Sequence, residues 1–153
     1  MPEPQATHWL YAANPGMYRV DDAFQAPHAA WPMSSRVDVG DVIFFYLSSP
    51  VQRIRYRARV SQIHLPASDV EVLTSPFITA TPAKKQSATP TNKTFMLLEN
   101  ITVLPDSQSE ALSFASLKQQ GLQGALMGPR KLENNPKLQN YILKTSGLMG
   151  ATS

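Results

Sequence analysis

The sequence predicts a single α+β domain in which strands come first, a short helix follows the first strand, and two helices lie near the end. The chain has 153 residues, the size of one domain, and 42% of them are hydrophobic, which is enough for one core. Thirteen prolines against seven glycines favour extended segments and stiff loops over a helical bundle. The order of the predicted elements therefore indicates a mixed sheet with flanking helices.

Four segments carry the hydrophobic patterns that are typical of strands. In the first, Trp9 and Tyr11 fall on one face and Leu10 on the other. The second is a nearly continuous apolar run, which predicts a central strand buried on both faces. In the fourth we expect Phe95, Leu97 and Ile101 to be buried. The four segments are residues 8–13, 42–47, 51–65 and 94–104.

Three further segments show helical spacing or capping. Residues 17–24 predict a helix of about two turns, and residues 109–120 predict a second helix that ends at Gly121. The pair Asn135-Pro136 begins a last helix, with apolar residues at i, i+3 and i+4. Residues 79–92, which include Lys84 and Lys85, have the composition of a long loop.

Arginine occupies every second position over seven residues of the third strand. Period-two spacing predicts that Arg53, Arg55, Arg57 and Arg59 lie on one face. They could form a solvated strand face that prevents edge aggregation, or a face that contacts phosphates. No acidic residue lies between Asp41 and Asp69 to compensate these charges. This absence favours the phosphate interpretation, as does the net charge of +3.

Trp31 stands between Ala30 and Pro32, in what we interpret as a loop outside any periodic pattern. Most tryptophans are core residues, and we expect Trp9 to be one. A loop tryptophan is instead suited to stacking on a flat ligand, which is worth roughly 1–3 kcal/mol per base.

No motif for catalysis is present. The sequence lacks a Gly-rich phosphate loop, an HExxH motif and a nucleophile elbow. With no cysteine, disulfides and thiolate zinc sites are excluded. We expect His8 to be structural and Asp21, Asp22 and Asp41 to be solvated helix or turn residues. The sequence thus predicts a cytoplasmic binding protein without a catalytic residue, a metal or a cofactor, and no segment has the apolar length of a membrane span.

The order of these features resembles EVE domains, over most of residues 7–143. The resemblance lies in His8-Trp9-Leu10-Tyr11-Ala12-Ala13-Asn14-Pro15 with the helix that follows it, in Trp31, and in Val39-Gly40-Asp41 before the apolar strand. Two further parts of the chain are similar to segments of a subgroup of EVE domains that is fused to bacterial nucleases. They are Ile54-Arg55-Tyr56-Arg57-Ala58-Arg59-Val60 and the Gly and Gly-Pro-Arg segments of residues 121–132. The sequence departs from this subgroup in two places. Residues 125–127 lengthen the Gly-Pro-Arg turn, and the loop of residues 66–92 is long.

The resemblance implies a PUA-like (EVE-type) mixed β-barrel with flanking helices, related to YTH and SRA modules, as one domain of residues 1–153 with its core at 7–144. It implies binding of DNA that contains 5-methylcytosine or 5-hydroxymethylcytosine, by flipping the base into an aromatic pocket. The protein would be the specificity module of a modification-dependent restriction system, with a nuclease domain or subunit as partner.

The resemblance carries over Trp31 as the stacking residue, and the pocket would comprise Trp31, Asn14, Ser34, Ser35, Tyr46 and Ser48. Charge selects the candidates for holding the nucleic-acid backbone: Arg36, Arg53, Arg55, Arg57, Arg59, Lys84, Lys85 and Arg130. Two alternatives stay open. One is a protein that binds modified RNA bases, as YTH relatives do, and the other is a small-molecule or nucleotide sensor, or an enzyme, on the same barrel.

Overall fold

The computed structural model describes residues 7–13, 19–25, 28–32, 36–48, 51–66, 68–70, 94–122 and 130–146. Its named elements, in chain order, are β1 (His8–Ala13), α1 (Val20–Ala23), β2 (Ala29–Pro32), β3 (Val42–Leu47), β4 (Arg53–Pro66), β5 (Thr94–Val103), α2 (Asp106–Ala111), α3 (Phe114–Gln119), β6 (Arg130–Lys131), a 3₁₀ turn (Leu132–Asn134) and α4 (Pro136–Thr145).

The strands form one six-stranded sheet in the order β2-β5-β4-β3-β1-β6. Strands β1 and β3 are parallel and paired from His8 with Val42 to Ala13 with Leu47, and the other pairs are antiparallel. The strands predicted at residues 8–13, 42–47, 51–65 and 94–104 are all confirmed. So is the last helix, where Asn135 caps α4 by accepting a hydrogen bond from the Leu138 backbone N–H.

The sheet separates two groups of buried side chains. Along β1 and β3 successive residues alternate between them, so β3 is buried on both faces, as predicted. The inner cluster contains Trp9, Tyr11, Ala13, Val20, Ala23, Phe24, Ala29, Val37, Ile43, Phe45, Leu47, Tyr56, Ala58, Val60, Met96 and Leu98. The outer cluster contains Leu10, Phe44, Tyr46, Ile54, Leu104, Leu112, Leu117, Leu122, Leu132, Leu138 and Ile142.

The sheet curls around the inner cluster. Two strands separate β2 from β3, so in a flat sheet their backbones would lie about 14 Å apart. The ring centroids of Trp31 on β2 and Phe45 on β3 nevertheless lie 5.1 Å apart. This contact requires the strong curvature of a barrel-like sheet.

Two expectations about the strands were wrong. Trp31 lies in strand β2 and pairs with Met96 of β5, rather than in a loop. On β5 the fully buried residues are Met96 and Leu98, whereas Phe95, Leu97 and Ile101 are only half-buried. Four consecutive apolar residues allow either face to point inward, and pairing with β2 and β4 decides between them.

The helix predicted over residues 109–120 is two helices. The backbone between them turns to β4: the Ile54 N–H donates to the Leu112 carbonyl, at 3.1 Å, and the Phe114 N–H donates to the Gln52 carbonyl, at 3.0 Å. The Ser113 side chain then caps α3 by accepting from the Ser116 N–H. Gly121, with φ +111°, ends α3 as predicted.

Candidate nucleic-acid interface

Trp31 lies on β2, the last strand at one end of the sheet among the described residues, at the boundary of the inner cluster. It is half-buried, and its ring contacts two buried aromatic rings, those of Phe24 and Phe45. Both contacts are edge-to-face, with centroid distances of 5.8 and 5.1 Å and interplanar angles of 62° and 69°. The indole is therefore held by the core while part of it reaches the surface.

The other described pocket candidates do not join Trp31. Tyr46 is 5% exposed and belongs to the outer cluster, where its ring faces Phe114 at 6.1 Å. Burial raises the pKa of the Tyr46 hydroxyl. Ser48 follows β3 and donates both its N–H and its hydroxyl to the Ala13 carbonyl, at 2.9 and 3.2 Å. Asn14, Ser34 and Ser35 lie outside the described residues.

The arginines of β4 do not share one face, which corrects the expectation of a single ladder. Phe45 pairs with Tyr56, but the next residue of β3, Tyr46, pairs with Ile54. Arg55 is therefore an extra residue, a β-bulge, and the alternation of faces changes there.

The pairing partners show where each arginine lies. Arg57 and Arg59 pair with Phe44 and Val42, which face the outer cluster. Arg53 pairs with Leu47, which faces the inner cluster. The four guanidinium groups are thus divided between the two surfaces of the sheet.

Three of these arginines have partners that are remote in sequence. Arg55 Nε lies 3.4 Å from Asp21 Oδ1 of α1, and Arg59 Nε lies 4.0 Å from Glu99 Oε2 of β5. Arg57 Nη1 donates to the Ser146 carbonyl at the end of α4, at 3.3 Å. No acidic residue is near these arginines along the sequence, but in the folded chain Arg55 and Arg59 each lie beside a carboxylate, contrary to the expectation.

Arg57 and Arg59 line a shallow groove on the outer surface. Its volume is about 200 Å³, and its other lining residues are Val42, Ala58, Asn100 and Thr102. Burial lowers the pKa of Arg57, and no carboxylate among the described residues pairs with this half-buried guanidinium. Two neighbouring cations with one carboxylate at 4.0 Å make this groove a candidate for contact with an anion.

The remaining backbone candidates are spread over the molecule. Arg36 is exposed, before β3. Arg130 lies in β6 and lines, with Lys131 and Asn134, a groove of about 350 Å³ beside the start of α4. Lys84 and Lys85 lie outside the described residues.

Sequence reasoning missed a polar group beside the inner cluster. The Tyr56 hydroxyl donates to Asp21 Oδ1, and Arg55 lies beside both residues. We expected Asp21 to be a solvated residue of the first helical turn; its side chain is 56% exposed, yet it holds two residues of β4. Only the packing of α1 against β4 could have revealed this group.

Two other polar side chains, Asp41 and Glu133, bind residues in and next to strand β1. The buried Asp41 carboxylate accepts from the Trp9 indole at 3.0 Å, from the Asp38 N–H at 2.9 Å and from the Thr7 N–H at 3.2 Å. Asp41 is therefore a buried anchor for β1 rather than a solvated turn residue.

At the other edge, Glu133 accepts from the His8 backbone N–H and from Gln139, and it pairs with His8 Nδ1 at 3.0 Å. Burial alone would raise the pKa of Glu133, but the hydrogen bonds from His8 outweigh burial and hold the pKa below its ordinary value. Across the described ranges, no group of three or more His, Asp or Glu side chains could hold a metal ion.

Solved structures with the same fold include ASCH proteins. The crystal structure of ASCH from Zymomonas mobilis is 14% identical, covers 87% of this chain and 94% of its own, and superposes with a TM-score of 0.60. A protein from Pseudomonas putida is 20% identical, with coverages of 91% and 99% and a TM-score of 0.58. A hypothetical protein from Leishmania major is 16% identical, with coverages of 95% and 98% and a TM-score of 0.62.

At these identities the similarity shows the fold alone. The chain has a mixed α+β, PUA-like fold of the kind found in ASCH domains, which confirms the predicted fold class. No profile of a known protein family matches the sequence, and no curated protein matches it. Among the helices of the described residues, none is long and apolar enough to span a membrane.

Proposed function

We propose that this chain binds nucleic acid carrying a modified base, with modified cytosine in duplex DNA as its ligand, and that Trp31 stacks on the flipped base. The position of Trp31 carries this proposal. Its half-buried indole is held edge-on by Phe24 and Phe45 at the boundary of the inner cluster. A flat ring held in one orientation can stack on a base at little cost in conformational entropy.

The PUA-like fold and the resemblance to EVE domains support the same ligand class. The resemblance adds the finer statements: 5-methylcytosine or 5-hydroxymethylcytosine as the modified base, and a restriction system in which a separate nuclease domain or subunit cuts the DNA. The domain itself would bind without catalysis.

Base flipping is a physically reasonable way to recognise such a small modification. A methyl group on C5 offers no hydrogen bond, so it is recognised through shape and apolar contact. Extruding the base costs a few kcal/mol, which stacking and hydrogen bonds to the base edge must offset. Contacts from Arg57 and Arg59 to phosphates would add affinity that falls with salt.

A binding panel tests the proposal. Matched duplexes with cytosine, 5-methylcytosine or 5-hydroxymethylcytosine at one position should show tighter binding of at least one modified duplex. Equal affinity for all three would overturn the proposal. A preference for single-stranded RNA containing N6-methyladenosine would instead assign the domain to modified RNA.

The two tryptophans provide a matched pair of variants. Trp31→Ala should weaken binding to the preferred duplex by roughly 5- to 150-fold, the equivalent of one lost stacking contact, and leave binding to unmodified DNA nearly unchanged. Trp9 is 4% exposed and donates to Asp41, so Trp9→Phe should lower thermal stability without changing the preference. If Trp31→Ala unfolds the protein, Trp31 is a core residue and has no separate role in binding.

A further inference from the structure

Two grooves lie at opposite ends of helix α4. The start groove, of about 350 Å³, is lined by Arg130, Lys131 and, in the first turn of α4, Leu138. The end groove, of about 200 Å³, is lined by Arg57 and Arg59. Arg57 Nη1 donates a hydrogen bond, at 3.3 Å, to the carbonyl of the residue that caps the end of α4. Each groove therefore borders one end of this helix.

Strand pairing places one arginine of each groove on the outer surface of the sheet. Arg130 pairs with Leu10 of β1, Leu10 pairs with Phe44 of β3, and Phe44 pairs with Arg57 of β4. Paired residues point to the same side of a sheet, and Leu10 and Phe44 belong to the outer cluster. The row covers three strand spacings, about 14 Å along the sheet. The ten residues of α4 span about 15 Å, so the length of the helix matches the separation of the two arginines.

The two grooves also share their chemistry. Among the described residues, two cations line each groove and no carboxylate lines either. The polar lining residues are Arg130, Lys131, Asn134 and Asn135 in the start groove and Arg57, Arg59, Asn100 and Thr102 in the end groove. Beside the start groove, Glu133 accepts hydrogen bonds from His8 and Gln139. Beside the end groove, Glu99 reaches Arg59 only at 4.0 Å, which is beyond hydrogen-bond distance. Each groove thus has an excess of positive charge.

A groove of this kind suits one phosphate group. A guanidinium offers five N–H donors and can hold a phosphate through two parallel hydrogen bonds. The contact with the end of α4 uses one donor of Arg57, and the side chain of Arg59 is 55% exposed. The start groove combines a guanidinium with the ammonium group of a lysine, which attracts phosphate as a point charge. A small anion can fill one groove at a time, whereas a chain of phosphates can fill both and gains affinity because the two contacts are linked.

We infer that the backbone of a nucleic acid binds across the outer surface with one phosphate in the start groove and another in the end groove, whether or not it carries a modified base. Trp31 packs against the inner cluster, on the other side of the sheet. Affinity for the backbone and preference for the modified base therefore depend on different surfaces. The inference rests on the proposed function only in requiring a nucleic-acid ligand.

The first experiment measures how the affinity for an unmodified duplex of about 15 base pairs, roughly 50 Å long, depends on salt. Arg57→Gln and Arg130→Gln should each reduce the salt slope by about one unit, and the double variant by about two. Trp31→Ala should leave the slope unchanged. The ratio of affinities for modified and unmodified duplexes should be the same in the double variant as in the wild type.

A second measurement tests whether one molecule fills both grooves. Single-stranded oligothymidylates of increasing length are titrated into the Trp31→Ala variant, which lacks the candidate stacking residue. Affinity should rise steeply once the strand is long enough to reach from one groove to the other, because the second contact then forms within the complex. Adding Arg130→Gln should remove this rise. A rise that persists without Arg130 would mean that the start groove is not part of the binding surface.

Lys118→Gln is the matched control. Lys118 lies on α3, lines neither groove and gives the same change in net charge, so this variant should keep the wild-type slope. Thermal unfolding of every variant separates a loss of binding from a loss of structure. Should Arg57→Gln fail to fold because its contact with α4 is altered, Arg59→Gln tests the same groove from a more exposed position.

The outcomes separate the inference from the proposed function. A wild-type salt slope in Arg130→Gln, or an equal reduction in Lys118→Gln, would overturn the inference. A preference for modified duplexes together with an unchanged slope in the double variant would also overturn it, and leave the proposed function intact. Slopes that depend on both arginines, in a protein that binds modified and unmodified duplexes equally, would support the inference and overturn modified-base recognition.

Discussion

Strands β1, β3 and β4 contribute side chains to both the inner and the outer cluster, but different elements cover the two clusters. The outer cluster is rich in leucine and is covered by helices α2, α3 and α4. The inner cluster is rich in aromatic rings, and among the described residues it is covered by the four-residue helix α1 and by the curl of the sheet itself. Trp31 packs at the boundary of the inner cluster, against Phe24 and Phe45. The two surfaces therefore differ in the elements that cover them, and the candidate base site at Trp31 lies on the inner one.

The largest expected effect concerns the polar anchor of the inner surface. Asp41→Ala would leave three donors, among them the buried Trp9 indole N–H, without their acceptor. We expect a loss of about 2–5 kcal/mol in the free energy of unfolding, measured by urea denaturation. The neighbouring exposed Asp38 is the control, and Asp38→Ala should cost less than about 1 kcal/mol. Equal losses would show that Asp41 is an ordinary turn residue.

A second prediction tests the comparison most directly, because two adjacent residues of β3 point to opposite clusters. Phe44 and Phe45 are both fully buried, but only Phe45 contacts Trp31. Phe44→Leu and Phe45→Leu should each cost on the order of 1–2 kcal/mol of unfolding free energy. Only Phe45→Leu should lower the ratio of affinities for modified and unmodified duplexes. A similar change of that ratio in both variants would contradict the assignment of separate roles to the two surfaces.

A third prediction concerns charge on the outer surface. Replacing both Arg57 and Arg59 by Gln should weaken binding to modified and unmodified duplexes alike and reduce the salt slope of the affinity by about one to two units. The control replaces Lys118 and Lys144 by Gln, which changes net charge equally but leaves the groove intact. Equal slopes for the two double variants would mean that the groove does not contact phosphate.

The smallest expected effect is a dependence of stability on pH at the edge where β1 meets the 3₁₀ turn. The pKa of Glu133 is lower in the folded protein than its ordinary value, so the ionised carboxylate stabilises the fold above that ordinary value, about 4.3. This contribution is lost as the pH falls through the lowered pKa. Glu133→Gln should therefore reduce the free energy of unfolding at neutral pH. It should also narrow the difference in this free energy between neutral pH and about pH 3.5. Glu110→Gln, at an exposed position of α2, should leave the difference unchanged.

The sequence predicted most strands because hydrophobic periodicity is a local property. It could not predict β2, since four residues form a strand there only by pairing with β5, more than sixty residues later. It predicted that all four arginines of β4 lie on one face, which is wrong for half of them, because a bulge shows only when the strand is aligned with its neighbour. Asp21 was missed for a related reason: its role depends on Tyr56, 35 residues away. Patterns along the chain therefore predict most of the secondary-structure elements, whereas the surroundings of the candidate site depend on contacts between residues that are distant in sequence.

The bulge at Arg55 has a consequence for how this strand tolerates insertions and deletions. Ile54 pairs with Tyr46 and Tyr56 with Phe45, so the residues on either side of Arg55 already have consecutive partners on β3. Deleting Arg55 would close the bulge and leave every other side chain of β4 on its present surface, at the cost of the hydrogen bond that the Arg55 carbonyl accepts from Leu104. Deleting Arg57 or Arg59, which lie within the ladder, would instead shift part of the strand by one residue. Arg55 is thus a position that pairing with β3 does not require, and its side chain contributes to the fold through its contact with Asp21 of α1.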